Sequence, residues 1–395
     1  MLRVAIITLT EGKLNFGNRF QNYAVQEVFK SIGCDPYTVR NIPHYVKFVN
    51  KLRRFLVHSP AKNFRRIIRL LQKRILPILK LFSEPRNEKA DGSAKYSQLL
   101  DSRKSAFNEF TKNFIKQDTV IIAPDDIPAD FSGRYDAFVV GSDQVWNPQF
   151  GCGFEIGFLR FAPTHKRIAY AASIGANYIP EKLIEKYTKG LCEMAHISVR
   201  EDKGAEIIRK LTGLNVPVLV DPTMMLSKAQ WLDVSTPAAA KPCQPYLLTY
   251  FLGDVSQQDY ELINKIASTK KLQIINMADI QDERHYTAGP GEFIDYLASS
   301  VIVCTDSFHG CVFSILFEKP FVVFSRNAKV PSMYSRIDTL LDKFNLESRK
   351  AENIALAVDP LIIEYSHVPA IVEKERNKSM EYLKQALNGA TNDKS

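Results

Sequence analysis

Apolar positions along the chain fall into two kinds of run. Short β-branched stretches closed by small or polar residues mark buried strands. Longer stretches with apolar residues at i, i+3, i+4 and i+7 mark helices. Val4–Leu9 reads as a strand, Thr10–Asn18 as a polar loop, and Arg19–Ile32 as a helix whose apolar side carries Phe20, Tyr23, Ala24, Val25, Val28 and Phe29. A basic segment then interrupts the pattern, Ser83–Gln98 reads as a mobile polar loop, and Leu99–Ile115 returns to an amphipathic helix. Strands are expected at Val120–Ala123, Ala137–Val140, Ile168–Ser173, Ile197–Arg200 and Val216–Val220, with helices near Glu181–Leu191 and Lys203–Leu211.

Ser227–Pro245, rich in Ala, Pro and Lys, reads as a linker. A second set follows: strand Tyr246–Phe251, helix Gln257–Thr269, strand Leu272–Asn276, helix Gly291–Ser299, a strand from Val301, a helix from His309, strand Phe321–Phe324 and helix Met333–Phe344. A long polar helix, Ile371–Asn388, closes the chain. This alternation predicts an α/β protein of two Rossmann-like domains facing across a cleft. The first spans 1–226 with a helical insertion at about 44–116, 227–245 links it to the second at 246–366, and 367–395 forms the terminal helix and tail.

A chain of 395 residues with 45% apolar composition has material for two cores. The first residues carry no cleavage-site pattern and no window reaches the roughly 18 apolar residues of a membrane span, so a cytoplasmic protein is expected. The six cysteines are scattered, without a C-x-x-C pair, which suits reduced thiols and predicts no structural metal. The net charge is +9, yet eleven Lys and Arg with no Asp or Glu lie between His44 and Ser83, so the rest of the chain is slightly acidic. Within that segment Phe64, Ile67, Ile68, Leu71 and Ile75 form an apolar stripe flanked by Lys62, Arg66, Arg69 and Lys73, until Pro77 kinks or ends the helix. A basic helix over 62–82 of this kind fits the anionic inner surface of a membrane, ahead of plain packing and well ahead of nucleic acid, since no stacking aromatics interleave the arginines.

The most informative stretch runs from Val301 to Phe317. An apolar strand ends in Thr305-Asp306-Ser307, and His309-Gly310 opens a helix. A strand-turn-helix of this form puts His309 at the carboxyl edge of a parallel sheet and at a helix amino terminus, where α/β folds bind anions. A helix-start histidine is usually satisfied by backbone. Here Ser307 as cap and Gly310 as a point of close ligand approach favour chemistry.

Arg200, at the end of a strand, either forms a salt bridge at the start of the next helix, for which Glu201 or Asp202 can serve as cap, or binds an anion bidentately. Gly141–Pro148 lacks the G-x-S-x-G elbow of a serine nucleophile. It is either a capped turn or a cleft wall in which Ser142, Asp143 and Asn147 surround Trp146 as a sugar platform. Asn18, Arg19 and Asn22 line the first ligand edge. Arg326 and Lys329 follow the strand beside His309.

Phe16–Tyr23, Gly141–Asn147, Tyr170–Gly175, Ser198–Glu201, Asp221-Pro222-Thr223 and Thr305–Gly310, in this order over residues 1 to about 345, together resemble the polysaccharide pyruvyltransferase family. The resemblance implies a GT-B-type fold, phosphoenolpyruvate as co-substrate without other cofactor, and a pyruvyl ketal placed on sugar hydroxyls of a surface polysaccharide. It implies His309 as the acid and Arg200 and Lys329 as donor ligands, with Ser307 and Gly310 at the donor turn. Asn18, Arg19, Asn22, Ser142, Asp143, Trp146 and Asn147 fall to the acceptor side. Some relatives carry Arg-Leu before the histidine where this chain has Ser307-Phe308, so a donor-binding cation is expected from elsewhere, with Arg167 and Arg326 as candidates. A lipid-linked oligosaccharide on the inner membrane face is the expected acceptor. Two other readings stay open: a glycosyltransferase using a nucleotide-sugar donor, and a basic scaffold without activity.

Overall fold

The computed structural model of the protein describes residues 1–10, 14–42, 94–326, 334–354 and 359–392. Lys329 and the basic stretch at 62–82 lie outside the described residues. The first domain contains β1 (Leu2–Ile7), α1 (Phe16–Ser31), β2 (Cys34–Asn41), α2 (Ala94–Phe114), β3 (Gln117–Ile122), β4 (Ala137–Val140), β5 (Arg167–Ala172), α3 (Glu181–Cys192), β6 (His196–Val199) and α4 (Asp202–Thr212). Its strands pair in parallel in the order β3-β2-β1-β4-β5-β6, the doubly wound Rossmann order. The second contains β7 (Tyr246–Tyr250), α5 (Gln257–Thr269), β8 (Gln273–Asn276), α6 (Pro290–Ser299), β9 (Ile302–Thr305), α7 (Phe308–Leu316), β10 (Phe321–Val323) and α8 (Ser335–Lys343), with parallel order β10-β9-β7-β8. The chain is thus an α/β protein of two Rossmann-like domains facing each other in the GT-B manner.

The strands form where the sequence is apolar without alternation, because helices cover both faces of a parallel sheet. Every residue of β4, β5, β7, β9 and β10 is buried. In each sheet the strand order reverses at one place, between β1 and β4 in the first and between β7 and β9 in the second. Their carboxyl ends are the loops that bind ligands in such folds.

The two sheets are joined by a shared apolar core. Phe16 of α1 stacks on Phe293 of α6 with ring centroids 4.3 Å apart, and Phe20 meets Phe313 of α7 at 4.7 Å. Trp231, fully buried, packs edge-on against Phe20, Tyr23 and Phe313. It belongs to a short helix, Lys228–Leu232, inside the stretch expected as linker, started by a reciprocal Ser227–Gln230 capping box. A final helix, α9 (Val368–Asn392), crosses back to the first domain. There Leu383, Ala386, Leu387 and Ala390 pack against Val4, Ile6 and Tyr170, and Arg376 donates to the carbonyls of Met224 and Leu226.

Three differences from the sequence expectations have local causes. Val216–Val220 is not a strand: it makes one bridge, Val218 with Val199, beside β6. Pro217 has no N–H to extend the ladder. β2 was unsignalled because Asp35, Pro36 and Asn41 dilute its apolar residues, yet it pairs with β1 from Cys34 to Thr38. The described helix α2 starts at Ala94, within the stretch expected as loop. All six cysteines are free; Cys192 and Cys243 are exposed and the other four buried. Among the described residues no helix is long and apolar enough to cross a membrane.

Candidate active site

The carboxyl ends of β4, β6 and β9 converge with the turn after Val220 on one buried carboxylate, Asp221. Its Oδ2 accepts hydrogen bonds from Ser142 Oγ at 2.8 Å and from Arg200 Nη1 at 2.5 Å. Its Oδ1 accepts from the backbone N–H and the hydroxyl of Thr223, at 3.0 and 2.6 Å. That same oxygen lies 3.7 Å from His309 Nε2, an ion-pair rather than a hydrogen-bond distance. Burial works against the Asp221 charge, but the facing His309, with Arg200 and Thr223, outweighs it and holds the carboxyl well below the usual carboxylate range.

His309 reaches this carboxylate from the other domain. Ser307 caps α7 by accepting from Gly310 N–H at 3.4 Å, which sets His309 in the first turn. The ring is 7% exposed and lies against Gly17 of α1, where an added Cβ would stand 2.0 Å from Nδ1 and 2.4 Å from Cγ. Gly17 is therefore required by contact with the imidazole, not by its own backbone angles. His309 Nε2 is buried and has no hydrogen-bond partner. An imidazole set between two domains against a carboxylate, with a ring nitrogen unspent, is equipped to carry a proton.

Arginines supply the site's positive charge. Arg200 is buried, and besides Asp221 it meets Asp143 Oδ1 at 3.4 Å. Burial opposes its charge, and Asp221, Asp143 and Glu201 restore it, leaving Arg200 above its ordinary pKa. Its guanidinium lies 4.5 Å from the centre of the Phe308 ring, and that of Arg336, from α8, lies 5.8 Å from it. α8 is fixed to the first domain by Thr339, whose hydroxyl accepts from Asp202 N–H and donates to Asp202 Oδ2. Burial, then the like charge of Arg200, pushes the Arg336 guanidinium down to about 9, against the pull of Asp143 and Glu201. A guanidinium keeps its proton at neutral pH even so.

The remaining residues expected at the site divide into those that support it and those that do not join it. Asn18 donates to the Leu9 carbonyl and to Asp143 Oδ2 at 3.4 Å, bridging β1 and β4 at the first sheet's reversal. Asp143 holds a left-handed backbone, φ 62°. Arg326 is bound to Asp306 by Nε at 2.8 Å and Nη2 at 3.0 Å, while Asp306 accepts from Leu252 and Gly253 N–H, so this pair ties β9 to β7. Arg19 donates to Asn18 Oδ1 and, with Asn22, lines a separate cavity.

Four expectations are corrected. Arg167 sits at the amino end of β5, the opposite edge, donating to the Ala162, Glu193 and Arg160 carbonyls and pairing with Glu193. Trp146 is 1% exposed, stacked on Phe158 with its N–H given to the Gly157 carbonyl, and offers no sugar platform. Asn147 spends its amide on Gln144 and Gly175 within the turn. Gly310 permits close approach of its own strand, since a Cβ there would lie 2.5 Å from Thr305 Oγ1.

Several residues of this cluster were not singled out from sequence. Asp221 and Thr223 were visible only as part of a motif. Gly17 was visible as a glycine turn within a motif, without its contact to the imidazole, and Arg336 carries no local signal. Glu201 was read as a helix cap, but its Oε1 binds Ser173 Oγ and the N–H groups of Ile174 and Gly175, shaping the loop after β5. Among the described residues, no group of three or more His, Cys, Asp and Glu side chains is placed to hold a metal ion.

The sequence model of the family described as polysaccharide pyruvyl transferase matches residues 15–327. None of the curated proteins matches the chain in sequence. Among solved structures, the UDP-GlcNAc 2-epimerase of Neisseria meningitidis bound to UDP-GlcNAc is 9% identical, with 96% of this chain and 100% of that chain covered at a TM-score of 0.41. A Listeria monocytogenes protein described as a putative UDP-N-acetylglucosamine 2-epimerase is 10% identical, with 98% and 97% covered at 0.44. The glycosyltransferase of kitacinnamycin is 12% identical, with 99% and 95% covered at 0.34.

Proposed function

The chain belongs to the polysaccharide pyruvyl transferase family, and from that premise we propose that it transfers a pyruvyl group from phosphoenolpyruvate to two hydroxyls of one sugar in a lipid-linked repeat unit, forming a ketal and releasing phosphate. The observation that carries this reading is His309 held between the domains against Asp221, with Arg200 and Arg336 flanking Phe308 beside it.

Phosphoenolpyruvate is an enol ester whose C3 accepts a proton. His309 donates that proton, C3 becomes a methyl group, and positive charge develops at C2, shared with the ester oxygen. A sugar hydroxyl adds to C2 and gives up its proton, which the now neutral imidazole takes back. The C2–O bond to phosphate breaks, a second hydroxyl of the same sugar adds to C2 and passes its proton to the departing phosphate, and the ketal closes. Asp221 places its carboxylate 3.7 Å from the imidazole Nε2. Arg336 and Arg200 suit the donor's carboxylate and phosphate, with Lys329 as a further donor ligand. Arg167 and Arg326, the candidates read from sequence, hold partners within the protein, and Arg336 is a further cation beside Phe308.

The eleven cations between His44 and Ser83 support an enzyme that works on the inner face of the membrane, where a lipid-linked acceptor resides. Purified protein is incubated with phosphoenolpyruvate and membrane-extracted lipid-linked oligosaccharides. The expected result is phosphate release matched by a saccharide that gains one pyruvyl ketal by mass spectrometry. Turnover of a nucleotide sugar with nucleotide release, and none of phosphoenolpyruvate, would overturn the reading.

A further inference from the structure

A second, basic site lies beside the one just described. Between α1, α2 and the β2–β3 edge is a cavity of about 820 Å³ whose lining, among the described residues, includes Arg19, Arg40, Lys104, Lys112 and Lys116 and no Asp or Glu. Five cations around one space repel one another unless countercharge is supplied. Two find it outside the cavity: Lys104 meets Asp101 at 3.1 Å and Lys116 meets Asp35 at 2.6 Å. Lys112 and Arg40 have no carboxylate among the described residues, and Arg40 Nε is buried without a hydrogen-bond partner. Leaving a buried donor unsatisfied carries a cost in stability. An oxyanion entering the cavity removes that cost and forms charge-assisted bonds.

The cavity's place in the fold connects it to the chemistry. Arg19, on its wall, donates to Asn18, and Asn18 donates in turn to Asp143, the partner of Arg200. The volume lies in the range of sites that hold a whole small molecule and far exceeds a single phosphate. Asn22 and Asn108 add amide groups suited to hydroxyls, and Leu14, Leu100 and Ile115 add apolar wall.

We infer that this cavity is a phosphate- or diphosphate-binding subsite that seats the anionic end of a glycosyl phosphate, the acceptor in the reading above, so that its sugar extends past Asn18 toward His309. The identification as acceptor rests on that reading, whereas the anion site itself does not. The shared chemistry is a sugar-linked phosphate or diphosphate, free or attached to a lipid.

The test uses the full-length protein and two probes, inorganic pyrophosphate and phosphoenolpyruvate, titrated calorimetrically. Lys112→Gln, at an exposed position, and Arg40→Gln are each expected to weaken pyrophosphate binding at least about tenfold while leaving phosphoenolpyruvate affinity unchanged. Arg336→Met is expected to do the reverse. Pyrophosphate binding that is undetectable, or that follows Arg336→Met instead of the cavity variants, overturns the inference. An intact pyrophosphate site in a protein that never turns over phosphoenolpyruvate would leave the anion site standing and defeat the transferase reading. To separate the two sources, binding to phosphatidylglycerol vesicles is compared in the same variants. Vesicle binding lost in Arg40→Gln and Lys112→Gln, with pyrophosphate binding retained, would make the patch a lipid-headgroup surface and contradict the inference.

Discussion

Two contacts at His309 decide whether the site is assembled, and each makes a prediction at the scale of one residue. The first is with Gly17: an added Cβ would stand 2.0 Å from Nδ1, so the ring must leave the position it holds beside Asp221. Gly17→Ala is expected to lower kcat by about a hundredfold or more, the share supplied by a positioned acid. The associated strain costs only about 1–3 kcal/mol of stability. Comparing kcat with the thermal midpoint checks it, and a stable Gly17→Ala protein with full activity would refute the contact. The second is with Asp221, whose charge is stabilised in the fold. A carboxyl with a depressed folded pKa gives its full stability above its unfolded value of about 3.9 and loses it as pH falls through that value toward the folded one. Urea unfolding between pH 3 and 6 should therefore show wild-type stability declining with acid. Asp221→Asn should show a flatter decline from a level about 3–5 kcal/mol lower, because buried Arg200 loses the nearer of its two carboxylates. Equal acid slopes in the two proteins would contradict this account of the pair.

At the scale of elements, α7 and α8 bring the second domain's charges to the first domain's carboxylates. α7 was legible from its strand-turn-helix pattern, because an apolar strand, a capping Ser307 and a helical apolar run are all local signals. α8 was legible as an amphipathic helix, yet nothing in that pattern distinguishes Arg336 from a solvated arginine. Its burial comes from Phe308, from Arg200 and from the docking of Thr339 on Asp202, contacts far apart in sequence. The same limit explains Arg167, which reads like Arg200 as an arginine at a strand end but occupies the amino edge. Arg336→Met is expected to raise the KM for phosphoenolpyruvate at least about tenfold, the value of one lost charged contact of about 1.5 kcal/mol or more. Arg336→Lys should recover only part of it, since lysine cannot reproduce the planar fork. Unchanged KM in both would remove Arg336 from the donor site.

At the scale of the whole molecule, each parallel sheet reverses its strand order once, and the strand rhythm alone made that architecture readable. The joining of the domains was not readable. Phe16 falls in the stretch expected as a polar loop, Phe20 looks like an ordinary core residue of α1, and Trp231 lies in a stretch with linker composition. Together they form one apolar core with Phe293 and Phe313. α9, polar in aggregate, returns to the first sheet on its apolar stripe. A large apolar junction resists hinge motion, which suits a reaction that requires a histidine from one domain and a carboxylate from the other at fixed separation. The most direct measurement is transfer in D2O from phosphoenolpyruvate to a lipid-linked acceptor, with the product methyl group read by mass spectrometry. Wild-type protein should place one deuterium in that methyl group, and His309→Gln, folded to the wild-type thermal midpoint, should form ketal about a hundredfold or more slowly. Ketal formed by His309→Gln at the wild-type rate would contradict the assignment of His309 as the proton donor.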